Sequence, residues 1–262
     1  MTKALLILIS ILSSSLVSAN FLDLNGSSSH IDGPNCWNGA MVAAGVIESK
    51  RFMHASEWSY YLEKNCVEIE KPMAGAVGRL FIEGEVEVHG FIHLDDETIF
   101  AKHGEDQDHG YRVMSYEDML TQYGRTRLCR TSNLREPHCY HSLQYYSCEK
   151  SQLFSAPLKR INAAFEQLSF SSETKLIHKD DCLSPSFKAR QDQFDIIKEA
   201  LLEISSSDDR DRVLENILSA SYRHQLYNIE VSGRNYRCKD RKLKYGKLKE
   251  IKYLLKSTFT AE

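Results

Sequence analysis

The spacing of apolar side chains changes period twice along the chain. From residue 36 to about 50, Ala40, Met41, Ala44 and Val46 fall near one side of a 3.6-residue repeat, which predicts a helix. The stretch "ASEWSYYLEKNC" predicts a second helix, with Ser56 as its N-cap and Trp58, Tyr61 and Leu62 on the apolar side. The two are expected to form a helical pair. From residue 76 the period falls to two. "AVGRLFIEGEVEVHGFIHLDDETIFAKHG" reads as strands near residues 76–82, 85–94 and 98–103, with a turn at 95–97. "YRVMSYEDMLTQYG" predicts a short strand and then a helix ending at Gly124. Helical spacing returns over 156–170, 187–204, 208–228 and 239–258, broken by polar runs such as "SFSSET" and "SSSDD". Residues 127–148 have no clear period, and the Ser/Gly/Asn/Asp-rich residues 20–34 read as a surface loop. The expected layout is therefore an α+β unit over 20–124, followed by a cysteine-containing helical region over 125–262.

The first residues add a compartment. A basic start, the apolar run "ALLILISILSSSLV" and "VSA" ending at Ala19 read as a signal peptide over residues 1–19. Its apolar run is short for a membrane span, and no other segment approaches that length. A secreted or periplasmic protein is expected, with no transmembrane segment after cleavage. Export changes the meaning of the seven cysteines, because thiols oxidise to disulfides there. An odd count leaves at least one thiol unpaired in a monomer. A net charge of -3 over 262 residues gives no reason to expect a nucleic-acid partner.

Local chemistry selects Cys36 as the free thiol. It opens a predicted helix, where unpaired backbone N–H groups and the helix dipole favour a thiolate. Gly39 and Ala40 let another element approach closely. A thiol nucleophile needs a base, and His89 is the candidate. In "EVEVHGFIHL", Val86, Val88, Ile92 and Leu94 share one face, while Glu87, His89, Phe91 and His93 share the other. A histidine on the second face can be aimed at a helix N-terminus. A three-residue turn at 95–97 would set position 89 opposite His103, which would then orient the imidazole; a two-residue turn would instead set it opposite Lys102. The Cys36 backbone N–H is a natural oxyanion donor. His30, Asn35 and Trp37 are the further candidates for oxyanion or substrate contacts, with Ser29 beside His30.

A cysteine at a helix start, a strand-borne histidine in "VHGFIHL" and "TIFAKHG" after a tight turn resemble the NlpC-type cell-wall peptidases, which are papain-like cysteine hydrolases. The resemblance covers roughly residues 20–124. It implies a helix pair packed on an antiparallel sheet, no cofactor, and attack of Cys36 on an amide carbonyl, with His89 as base. It also implies a cell-wall peptide as substrate, through a thioester intermediate. The chain departs from the family pattern at Asn35, Trp37 and Asn38, where the family carries an aspartate before the cysteine and serine-glycine after it. Two other functions fit the same residues: a catalytically silent, disulfide-rich binding protein, and a transglutaminase-like acyltransferase.

Three further motifs are weighed. Cys129, His138, Cys139, His141 and Cys148 mix zinc-ligand types, but their spacing matches no C-x-x-C pair and export favours disulfides, so no metal is expected. "HGEDQDHG", with His103 and His109, reads as a solvated loop. "CKDRKLKYGKLKEIKYLLK" reads as a basic amphipathic helix that could be drawn to an anionic wall or membrane surface.

Overall fold

The computed structural model describes residues 24–26, 34–81, 89–103, 110–130, 138–151, 154–170, 181–183, 185–232 and 238–259. The signal sequence, Ser29, His30, the 85–88 part of the expected long strand and the loop containing His109 lie outside them. The fold is α+β with an antiparallel sheet. Its first helices are α1 (Cys36–Ala43) and α2 (Ala55–Asn65). Strands β1 (Cys66–Ile69), β2 (Val77–Phe81), β3 (His89–His93), β4 (Thr98–Lys102) and β5 (Tyr111–Ser115) follow, then helix α3 (Tyr116–Gln122). Short strands β6 (Arg127–Leu128) and β7 (Cys139–Tyr140) precede β8 (Ser142–Cys148). Helices α4 (Ala156–Phe170), α5 (Pro185–Ser206), α6 (Arg212–Ser232) and α7 (Arg241–Phe259) complete the chain, with one 3-10 turn at Asp181–Leu183.

The six-stranded sheet has the order β1-β8-β2-β3-β4-β5, and every neighbouring pair is antiparallel. β8 lies in its interior, between β1 and β2. The boundary expected at Gly124 therefore cuts through the sheet. The strand from the stretch read as aperiodic pairs with two others and is tied to β1 by a disulfide, Cys66–Cys148. Cys129–Cys139 links the residue that follows β6 to β7, and Cys182–Cys238 links the 3-10 turn to the residues before α7. All six cysteines other than Cys36 are thus paired, and Cys36 is free.

Two cores flank the sheet. On one face, α1 and α2 pack on Val77, Ile92, Phe100, Tyr111 and Tyr146, with Met41, Trp58 and Tyr61 filling the layer between. On the other face, Phe91, Ile99 and Ala101 meet Met114 and Met119, the latter from α3. Strand β3 is therefore buried on both faces. Local signals explain the ends of these helices. Asn35 caps α1, and Gly45 adopts φ 72° just past its last turn, so α1 stops well short of residue 50. His54, rather than Ser56, caps α2 by accepting the Ser56 N–H at its Nδ1. Ser115 caps α3 by accepting the Asp118 N–H.

The C-terminal helices share one apolar core because each repeats its buried residues at helical spacing. Leu158, Ile161, Phe165 and Leu168 from α4 meet Phe194, Ile197, Leu201 and Ile204 from α5. Leu214, Leu218, Tyr222 and Leu226 from α6 and Leu248, Ile251, Leu255 and Phe259 from α7 close it. Each such side chain is worth about 2 kcal/mol of transfer free energy before entropy is subtracted. A buried polar network joins this bundle to the α+β unit. Arg51, fully buried, donates from Nη1 and Nη2 to the Glu57 carboxylate at 2.9 and 2.5 Å, and from Nε to Asn162 Oδ1 at 2.7 Å. Ser221 Oγ donates to Glu57 at 2.5 Å, and Tyr222 OH donates to Asn162 Oδ1 at 2.7 Å. Residues from α2, α4 and α6 are locked together by it.

Candidate functional site

Cys36 occupies the first turn of α1, and the residue is 8% exposed. The helix sits on β3 and β4 because both partners are small where they meet. A Cβ on Gly39 would lie 3.1 Å from the Tyr111 ring and 3.4 Å from Lys102 Cβ. A Cβ on Gly90 would lie 2.8 Å from the Trp58 ring and 3.3 Å from the Trp37 ring. Position 39 is one helical turn from position 36, so Lys102 is held along the face of α1 that carries the thiol. The Gly90 backbone lies against the sulfur itself.

Opposing effects act on this thiol. Its pKa is raised from 9.0 to about 11, with burial the largest influence. Hydrogen bonds from the backbone amides of Gly90, Trp37 and Cys36 itself pull the other way, as does the positive charge of Lys102. Burial wins, so the resting thiol is protonated at neutral pH. The groups that would stabilise a thiolate once it forms are nonetheless in place: three amides, a helix N-terminus and a buried cation.

His89 and His103 are brought together, but not with Cys36. The β3–β4 register pairs Ile92 with Phe100 and His93 with Ile99, as a three-residue turn at 95–97 requires. The His89 and His103 rings accordingly stack, with centroids 4.8 Å apart and planes 12° apart. Tyr123 stacks on His89 from beyond α3 at 4.3 Å, and His103 Nε2 is 2.7 Å from Met114 Sδ. These contacts all belong to the Phe91 face of the sheet. Gly90, Ile92, Phe100 and Lys102 point to the other face, where α1 lies. His89, Phe91 and His93 share one face of β3, as the alternation predicts, but that face is the one covered by α3, not the one beneath Cys36. The expected Cys36–His89–His103 relay is therefore split by the sheet. His89 is fully buried, neither ring nitrogen has a hydrogen-bond partner among the described residues, and burial together with the neighbouring His103 pushes its pKa well below 6.5.

Asn35 is also corrected. Its Nδ2 donates to Met53 O at 2.8 Å, while its Oδ1 accepts from the Asn38 and Met53 amides, so its amide group fixes the α1 entry and is not available to an oxyanion. Trp37 differs: its indole Nε1–H is buried with no acceptor among the described residues, and its ring borders Gly90. It is an available donor beside the thiol. The sequence offers Lys102 only as the alternative to His103 for the place opposite His89. Its link to Cys36 follows from two signals in the sequence, the i+3 glycine Gly39 and the shared parity of Lys102 with the core residue Phe100.

The remaining cysteine-histidine motif holds no thiolates, since Cys129, Cys139 and Cys148 are all in disulfides. Among the described residues no group of three or more His, Cys, Asp or Glu side chains is arranged to hold a metal, and no helix is long and apolar enough to cross a membrane. Three disulfides fit a secreted or extracellular protein. No protein-family model, curated protein or solved structure matches this chain.

Proposed function

We propose that the chain is a secreted cysteine hydrolase of papain-like type that cleaves an amide bond, with peptidoglycan stem peptides as the substrate class and Cys36 as nucleophile. The observation that carries this reading is the setting of Cys36. It is the one cysteine left out of three disulfides, and it sits on a helix N-terminal turn under three backbone amides and the Lys102 charge. In this reading Cys36 Sγ attacks the carbonyl carbon, the C–N bond breaks, and the thiol proton ends on the departing amine. Water then cleaves the thioester, giving a carboxylic acid and restoring the thiol. Lys102 supplies positive charge beside the thiolate, where the NlpC-type pattern places a histidine base, and Trp37 Nε1–H offers the substrate a hydrogen bond. Purified wall fragments test it through new amino groups released by wild type, Cys36→Ala, Lys102→Met and His89→Phe. Activity should vanish in the first variant, fall at least about tenfold in the second through loss of a charge-assisted partner, and persist in the third. Full activity of Cys36→Ala, or no cleavage by wild type, sinks the proposal. An added amine acceptor distinguishes hydrolysis from acyl transfer.

One observation favours a second reading, a catalytically silent binding protein: the resting thiol is buried and protonated, with its pKa raised to about 11. Wall fragments that bind the protein but emerge uncut would support that reading.

A further inference from the structure

Strands β3, β4 and β5 lie side by side, and each delivers a nitrogen or sulfur donor to the face that α3 covers. His89 opens β3, His103 directly follows β4, and Met114 lies in β5. His103 Nε2 is 2.7 Å from Met114 Sδ, and the His89 ring stacks on the His103 ring. All three residues are buried. Their surroundings are apolar. Met114 packs in a cluster with Phe91, Ile99, Ala101 and Met119, and the Phe91 and Tyr123 rings stack on His89.

His89 is the member that packing alone leaves unexplained. It is fully buried, yet neither ring nitrogen has a hydrogen-bond partner among the described residues. A buried polar atom left without a partner is destabilising, and a phenylalanine would fill the same place without that cost. Burial and the neighbouring His103 keep this imidazole neutral at neutral pH, so it has a lone pair to give. His93, on the same face, is engaged elsewhere, with its Nδ1 2.6 Å from Tyr116 OH.

We infer that His89, His103 and Met114 form a binding site for monovalent copper. The donor set selects the ion. Zinc is held by thiolate, imidazole and carboxylate, and calcium and magnesium by oxygen, whereas thioether sulfur is a ligand of soft Cu(I), which imidazole also suits. Charge selects it too. The imidazoles and the thioether are neutral ligands, so the ion's full charge enters an apolar core. The cost of burying a charge rises with its square, and is about four times greater for a divalent ion. Binding requires one local motion. The two imidazole planes are 12° apart, so no ion can lie in both until one ring turns about its Cβ–Cγ bond. His89 is the ring that can turn, since turning it breaks no hydrogen bond among the described residues. Tyr123, partly exposed, is the ring that the ion passes on its way in. The site lies across the sheet from Cys36, and the inference is independent of any chemistry there.

Cu(I) itself, kept reduced by ascorbate, serves as the probe, titrated into untagged, disulfide-intact Cys36→Ala protein against the chelator bicinchoninate. Removing the free thiol keeps it from supplying a competing ligand. One ion per chain should bind, with both nitrogen and sulfur neighbours in its X-ray absorption spectrum. Met114→Leu nearly conserves core volume. It should remove the sulfur neighbour and weaken binding at least about tenfold, the least that disturbing even a group behind a metal ligand costs. His89→Phe should weaken binding as much, without lowering the melting temperature of the metal-free protein, which separates a lost ligand from a lost fold. The inference is overturned if no Cu(I) binds in competition with the chelator, if either variant binds it as the parent does, or if the parent binds Zn(II) more tightly than Cu(I).

Discussion

Replacing Glu57 by alanine should destabilise the whole chain, not one part of it. The carboxylate and the Arg51 guanidinium are both fully buried and joined by two hydrogen bonds, and Ser221 adds a third to the same carboxylate. Without Glu57, Arg51 keeps Asn162 Oδ1, the Phe52 carbonyl and the Tyr222 ring, whose centre is 5.1 Å from its Cζ, but loses its only anionic partner among the described residues. Burial alone works against the arginine's charge, and the Glu57 carboxylate is what overcomes it. Breaking such a pair from one side costs about 3–5 kcal/mol, against a total stability of about 5–15 kcal/mol for a typical domain. Because the network joins α2, α4 and α6, fluorescence and circular dichroism should report one coincident urea transition in wild type, shifted as a unit in Glu57→Ala. Arg51→Met combined with Glu57→Leu should recover much of the loss, since no unpaired charge is then buried. A Glu57→Ala cost below about 1 kcal/mol, or two separate transitions in wild type, would refute the reasoning.

Two further outcomes concern the sheet. Gly78→Ala would set a Cβ 2.1 Å from the Phe91 ring, which is held edge-on by Tyr116 and Tyr145; a loss of at least about 1–3 kcal/mol is expected in denaturant melts. His89 has its pKa lowered in the fold, so its contribution to stability is complete above pH 6.5 and is lost as pH falls from there toward the lowered value. Urea melts at pH 7.5 and 5 should show His89→Phe losing less stability on acidification than wild type, by up to about 1.4 kcal/mol per pH unit; equal losses would remove His89 from the account.

Much of this fold is legible from period alone. The four C-terminal helices announce themselves because residues such as Leu214, Leu218, Tyr222 and Leu226 repeat at helical spacing and all become core. Counting residues narrows the partner of His89 to His103 or Lys102, and the three-residue turn at 95–97 makes it His103. β8 does not announce itself. "SLQYYSC" is mostly half-buried along its length, so it lacks a sharp alternation, and its place between β1 and β2 depends on partners far away in the sequence. The candidate site is hidden for a related reason. Alternation tells which residues of β3 share a face, but not which face receives α1, and β3 is buried on both. Parity with Phe100, a core partner of α1, is what assigns Lys102 to Cys36 and His103 to the far side.

The central claim is that the Cys36 thiol is set by burial, opposed by Lys102 and the surrounding amides, and not by the histidines. The pH dependence of iodoacetamide alkylation of native Cys36 tests this directly. Wild type should inflect near 11, with roughly hundredfold less thiolate at neutral pH than a thiol titrating at 9.0. Lys102→Met should move the inflection higher, and His89→Phe should leave it unchanged. An inflection below 9.0, or one that moves with His89 and not with Lys102, would contradict the account.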